Sequence, residues 1–89
     1  MFALICTDKP GHLETRKKNR DAHLAYIADT GLVLQAGPFL DANGDMCGSL
    51  VILSVTTREA AQAWADGDPY YEVGLFEDVR IEEWKKVVG

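Results

Sequence analysis

At 89 residues, with 47% hydrophobic and 26% charged side chains, the chain has the size and composition of one folded domain, residues 1–89, and not of a disordered segment. Its formal net charge of -5 argues against nucleic acid as a partner, because a phosphate backbone needs a basic stripe to displace its counterions. No apolar run nears the roughly 18 residues of a membrane span, and the strand-length start Met1–Cys6 lacks the charged opening of a signal peptide, so a cytoplasmic protein is expected.

Phe2 to Thr7 reads as a buried strand, closed by the turn residues Asp8-Lys9-Pro10-Gly11. His12 to Thr30 contains neither Pro nor Gly, and Leu13, Leu24, Ile27 and Ala28 recur at helical spacing; Gly31 suits the left-handed position that ends a helix. Leu32 to Leu40 forms a second strand. Asp41-Ala42-Asn43-Gly44-Asp45 follows, where Asn-Gly predicts a type I′ hairpin turn into a third strand, Met46 to Val55. Thr56-Thr57-Arg58-Glu59 has capping-box spacing, with Thr56 as the cap, and the helix it opens runs to Gly67. Asp68-Pro69-Tyr70 begins a one-turn segment, Val73 to Ile81 is the fourth strand, and Glu83 to Val88 is a tail able to add a short strand.

The order is βαββαβ. Right-handed crossovers then give an α+β fold, a ferredoxin-like antiparallel sheet of four strands with both helices on one face. The strands carry a second message. Phe2, Leu4 and Cys6 alternate with Ala3 and Ile5, and Leu50 and Ile52 alternate with Val51, Leu53 and Val55, so both faces of the sheet are apolar. A half-solvated sheet would alternate apolar with polar residues. The helices cover one face, and a second copy of the sheet is the simplest cover for the other, which predicts a homodimer. Cys6 and Cys47 lie in these apolar strands and read as buried free thiols.

Arg20-Asp21-Ala22-His23-Leu24, Gly37-Pro38-Phe39, Gly48-Ser49-Leu50, Asp68-Pro69-Tyr70, Gly74-Leu75-Phe76 and a strand ending near Trp84 occur in an order that resembles the YCII-related (YciI-like) family over essentially the whole chain. The resemblance implies a dimeric α+β barrel, paired through its sheets. It also implies a His–Asp pair in a pocket, carried here by His23 and Asp68. Activities in that family and fold include halide removal from a chlorinated hydroxyquinol and the isomerisation of muconolactone.

The residues themselves point the same way without compelling it. His23 is the side chain best suited to proton transfer near neutral pH, and it shares a helix face with Arg16, Arg20, Ile27 and Thr30 at the border of the apolar stripe. On the residues alone it reads first as a satisfied boundary histidine, and the resemblance is what brings a functional role level with that reading. Asp68 before Pro69 is a good helix cap, a role compatible with orienting His23. Arg16 and Arg20 suit a planar anion but also suit a solvated helix face. Ser49 at the mouth of a strand reads first as an ordinary strand-entry serine, though it can donate to a ligand, and Tyr70 and Phe76 read as pocket wall or core.

Sharper motifs fail. His12 and His23 are too far apart for a helical metal pair, so no metal is expected. Asp41–Asp45 starts like a calcium loop, but Met46 and Ile52 stand where that loop needs Gly and Glu. No glycine-rich phosphate loop is present, so no organic cofactor is expected. The expectation is a cofactor-independent acid–base enzyme of isomerase or lyase/dehalogenase type, acting on a small cyclic or aromatic acid. A non-catalytic small-ligand-binding or assembly module is the alternative.

Overall fold

A computed structural model describes residues 1–89. The elements are β1 (Phe2–Asp8), α1 (Leu13–Thr30), β2 (Val33–Leu40), β3 (Met46–Leu53), α2 (Arg58–Gly67), the single turn α3 (Pro69–Glu72) and β4 (Phe76–Glu83). The strands form one antiparallel sheet in the order β2-β3-β1-β4, the ferredoxin-like α+β arrangement. The most continuously apolar strands, β1 and β3, take the centre, while β4, with its alternating charges, takes an edge.

Register decides which side chains share a face. Phe2, Leu4 and Cys6 pair with Leu53, Val51 and Ser49, and point toward the helices. There they pack with Ala61, Trp64 and Ala65 of α2, while Tyr26 and Ile27 of α1 close the edge of this core. Leu4, Val51, Leu53 and Leu75 are fully buried. Each such side chain contributes about 1.5–3 kcal/mol relative to exposure.

The opposite face carries Ala3, Ile5, Leu50, Ile52 and Phe39, and no helix covers it. Leu50 stays 37% and Phe39 39% exposed, and Arg80 and Glu82, paired with Ile5 and Ala3, put charges on one side of the patch. No helix is long and apolar enough to cross a membrane.

Several boundaries differ from the sequence reading, each for a local reason. Thr57, not Thr56, caps α2, its hydroxyl accepting the Ala60 N–H at 3.1 Å. The β2–β3 turn is not type I′: only Gly44 takes positive φ (81°), because the Asp41 carboxylate accepts from both Asn43 N and Asp45 N and folds the loop around itself. β4 starts at Phe76 rather than Val73, since the Val73 and Leu75 amides donate back to Pro69 and Tyr70 to finish α3. The tail adds no strand and is tied by Trp84 N to Met1 O at 3.0 Å. Cys6 is a buried free thiol, whereas the Cys47 thiol is only half-buried.

The largest departure is α1. Gly31 ends it as expected, with φ 63° and its N–H on Ile27 O. The side chains it buries, however, are Arg16 and His23, while Leu24 remains 46% exposed and Ala28 is exposed. Polar bonds replace part of the missing apolar seam. Tyr26 Oη donates to Trp64 O at 2.8 Å, and Trp64 Nε1 donates to Thr30 Oγ1 at 2.9 Å. α1 therefore sits over the sheet with a polar stripe facing inward.

Candidate active site

That stripe, a wall of β2 and β3, and α3 together enclose a cavity of about 140 Å³. Helical steps of four and three residues bring Arg16, Arg20 and His23 to one side of α1. Arg16 and His23 are buried, and Arg20 stays exposed at the rim. β3 supplies Ser49 and Val51, and β2 brings Pro38 and Ala36 beside them by register. The chain reaches Ser49 through Gly48, where any Cβ would run into the Cys6 carbonyl oxygen of β1.

α3 delivers the remaining groups. Asp68 caps this turn with Pro69 in its first position, its Oδ1 accepting the Tyr70 N–H at 3.0 Å. The same Oδ1 lies 2.8 Å from Nδ1 of His23, in a buried contact. An oxygen already accepting one N–H is best served by a second, so Nδ1 is the donor to it, and in the neutral imidazole Nε2 is then the nitrogen with the lone pair. The capping and orienting roles of Asp68 are therefore met by one atom. His23, which the sequence placed at the border of the core, is only 6% exposed.

Tyr70 stacks on His23, with ring centroids 4.0 Å apart and planes 14° from parallel, and the Arg16 guanidinium carbon lies 4.8 Å from the same ring. Arg16 and His23 are two turns apart on α1, about 10 Å of rise, which is the room an intervening ring needs. Arg16 is fixed by three bonds. Nε donates to Asp8 Oδ2 at 2.7 Å, and Nη2 donates to Asp8 Oδ1 at 2.9 Å and to Ser49 Oγ at 2.8 Å.

The charge states follow from these surroundings. Burial pulls the Arg16 pKa down, but the Asp8 carboxylate outweighs it and the net direction is up, so the guanidinium is charged. Burial pushes the Tyr70 phenol up, reinforced by Asp68 and opposed by Arg16, so it stays protonated. Arg16 carries no lone pair to accept a hydrogen bond, so it cannot take the phenolic proton, which stays free. Burial, with Asp68 adding to it, raises the Cys6 thiol to about 12, which removes it as a nucleophile at neutral pH.

Of the residues singled out in the sequence, Arg16, Arg20, His23, Ser49 and Tyr70 line the cavity. Asp68 stands behind His23. Phe76 does not reach the cavity wall; it meets Tyr70 edge-on, with centroids 6.0 Å apart, as a buttress. Asp8, Leu24, Pro38 and Met46 were missed. For Asp8 there was one usable clue: a buried arginine requires a carboxylate, so a site on the Arg16 face demands an acid from another segment.

The chain belongs to the YCII-related domain family, whose model matches residues 1–85. It is 41% identical to the protein YciI of Escherichia coli O6:H1 over 96 residues, 98% of each chain, and 35% identical to an uncharacterized protein of Haemophilus influenzae over 95 residues, 97% of each. Its fold is similar to that of the 5-chloro-2-hydroxyhydroquinone dehydrochlorinase TftG from Burkholderia phenoliruptrix AC1100, solved in complex with 2,5-dihydroxybenzoquinone. The TM-score is 0.85 at 34% identity, covering 96% of this chain and 94% of that one. A Pseudomonas aeruginosa protein shares the fold alone, with a TM-score of 0.59 at 15% identity.

Proposed function

We propose that this chain is a cofactor-independent acid–base enzyme for a small oxygen-bearing ring compound, of the dehydrohalogenating or isomerising kind. The observation that carries the reading is the buried 2.8 Å bond between His23 Nδ1 and Asp68 Oδ1, which leaves Nε2 as the nitrogen available to a ligand. His23 removes a proton from the ring compound through Nε2. The electron pair passes into the ring, and in the eliminating case a halide leaves with the electrons of its carbon–halogen bond, so that the hydrogen halide is lost in total. Without a halide the proton returns to another carbon and the product is an isomer. Asp68 stabilises the imidazolium in between. Arg16, Arg20, Ser49 and Tyr70 bind the oxygens of the ring, and the likeness to a dehydrochlorinase of a hydroxylated ring supports that assignment.

The test is chloride release from 5-chloro-2-hydroxyhydroquinone. His23→Ala should lower the rate by roughly 10² to 10⁴, the usual worth of a positioned acid–base group. Full activity in that variant would sink the reading. A module that only binds would instead show ligand stabilisation, with wild type and variant alike failing to release chloride.

The functional unit in this reading is a homodimer joined through the sheet faces that no helix covers, supported by Leu50 and Phe39, which stay exposed there beside Ala3, Ile5 and Ile52. The two free cysteines suit the reducing cytoplasm, where the reading places the protein.

A further inference from the structure

Arg16 is an unusual residue for the inner side of a helix. Its side chain is 3% exposed and its partner Asp8 6%, so a complete ion pair is buried beneath the cavity. Burying two charges gives little net stability, so the pair is poorly explained as a fold-stabilising device. Its geometry suggests another purpose. Nε–H and both Nη2 protons are spent on Asp8 and Ser49, and Nη1, with two protons, takes no part in those bonds. No buried side-chain nitrogen or oxygen lacks a partner, so Nη1 is not sealed in the core, and Arg16 lines the cavity. The charge on Arg16 is cancelled by Asp8. What it offers a ligand is therefore a pair of aimed donors rather than free positive charge.

We propose that Asp8 is a positioning residue that locks the Arg16 guanidinium so that Nη1 meets a ring oxygen of the ligand, the oxygen on which negative charge gathers as His23 takes a proton. This rests on the proposed function and deepens it, for it names the ligand class: a ring bearing an oxygen that becomes enolate-like, not one that needs a strongly cationic pocket. Arg20 at the rim is the cation left uncancelled at the cavity. Preorganised donors of this kind act at the moment charge develops and need no rearrangement then.

Charge and aim make opposite forecasts, which allows a clean test. Removing the negative charge of Asp8 leaves Arg16 unneutralised, so on charge alone Asp8→Asn should tighten an oxyanion ligand. If Asp8 acts by aiming Arg16, the ligand weakens instead. The probe is 2,5-dihydroxybenzoquinone, titrated calorimetrically against wild type, Asp8→Asn, Asp8→Glu, Arg16→Lys and the double variant Asp8→Asn/Arg16→Lys, each checked for fold by circular dichroism. We expect affinity to fall about ten-fold or more in Asp8→Asn, in keeping with the strength of charge-assisted forks. The same loss is expected in Asp8→Glu, which keeps the charge and shifts the fork by one methylene, so that variant carries the test on its own if Asp8→Asn does not fold. In the Arg16→Lys background Asp8→Asn should cost no further affinity, since its effect passes through the guanidinium. Unchanged or tighter binding in the Asp8 variants, or a cost that persists in full without Arg16, overturns the role of Asp8 alone. A wild type that ignores the probe overturns the proposed function as well.

Discussion

Tyr70 and Asp68 grip His23 from two directions. The Tyr70 ring lies flat against the imidazole at 4.0 Å, while the Tyr70 backbone N–H holds the same Asp68 oxygen that faces His23 Nδ1. The imidazole is thus fixed against tilting by the stack and against in-plane rotation by the carboxylate. Both constraints come from one helical turn of four residues, Pro69–Glu72, and the residue that caps it, Asp68. An imidazole held in this way keeps one nitrogen aimed at the cavity, as the proposed proton transfer requires.

The two duties of Asp68 should separate by substitution. Asp68→Ser keeps an oxygen able to cap α3, whereas Asp68→Ala does not, so urea unfolding should place the alanine variant lower by about 1 kcal/mol. Both variants should lose turnover alike, because neither orients His23. If serine restored activity as well as stability, the carboxylate would have no chemical role.

Tyr70 should divide similarly. Tyr70→Phe keeps the stack on His23 and the edge contact with Phe76, so its stability should stay within about 1 kcal/mol of wild type. Its affinity for 2,5-dihydroxybenzoquinone should fall, because the free phenolic donor is gone. Tyr70→Ala empties a fully buried position and should cost about 3–5 kcal/mol, measured by chemical denaturation.

Alkaline pH provides an independent check on the core. The folded protein holds the Cys6 proton up to about 12, against 9.0 for an unperturbed thiol. Because the folded pKa is the higher one, the contribution is present in full below pH 9 and is lost as pH climbs toward 12. The phenols of buried Tyr70 and half-buried Tyr26 shift in the same direction and steepen the decline above pH 10. Melting temperatures of wild type and Cys6→Val should run parallel near neutrality and diverge above pH 9, with the valine variant flatter. Curves that stay parallel across that range would show that Cys6 does not resist ionisation.

The uncovered sheet face makes a prediction of assembly. Leu50→Glu places a carboxylate at the centre of that face, on the side of the sheet away from the cavity-lining Ser49 and Val51. Sedimentation should show wild type as a dimer at micromolar concentration and the variant shifted to monomer. A monomeric wild type would remove the proposed partner.

The order of elements was legible because turns and apolar runs are encoded locally: Pro10-Gly11, Gly31 and Asn43-Gly44 each interrupt a run where the chain reverses. The start of β4 was not, since Val73 and Leu75 look like strand residues and only the completed turn of α3 shows their amides bonded backward. For the site, His23 and Asp68 could be named, but the inward face of α1 could not be read from hydrophobicity. Leu13, Leu24 and Ala28 suggested an apolar stripe, and the buried side chains are an arginine and a histidine instead. A cation on a helix looks solvated until the acid that neutralises it is found, and Asp8 comes from the end of another element.

The polar lining of α1 also has a dynamic consequence. A helix anchored by a few directional bonds rather than a continuous greasy seam opens at lower free-energy cost than its neighbours. Its amides should therefore exchange with solvent deuterium ahead of those in β1 and β3. A molecule filling the cavity would bridge α1 to the sheet and slow that exchange, so occupancy of the site would be recorded in the backbone of the helix that carries it.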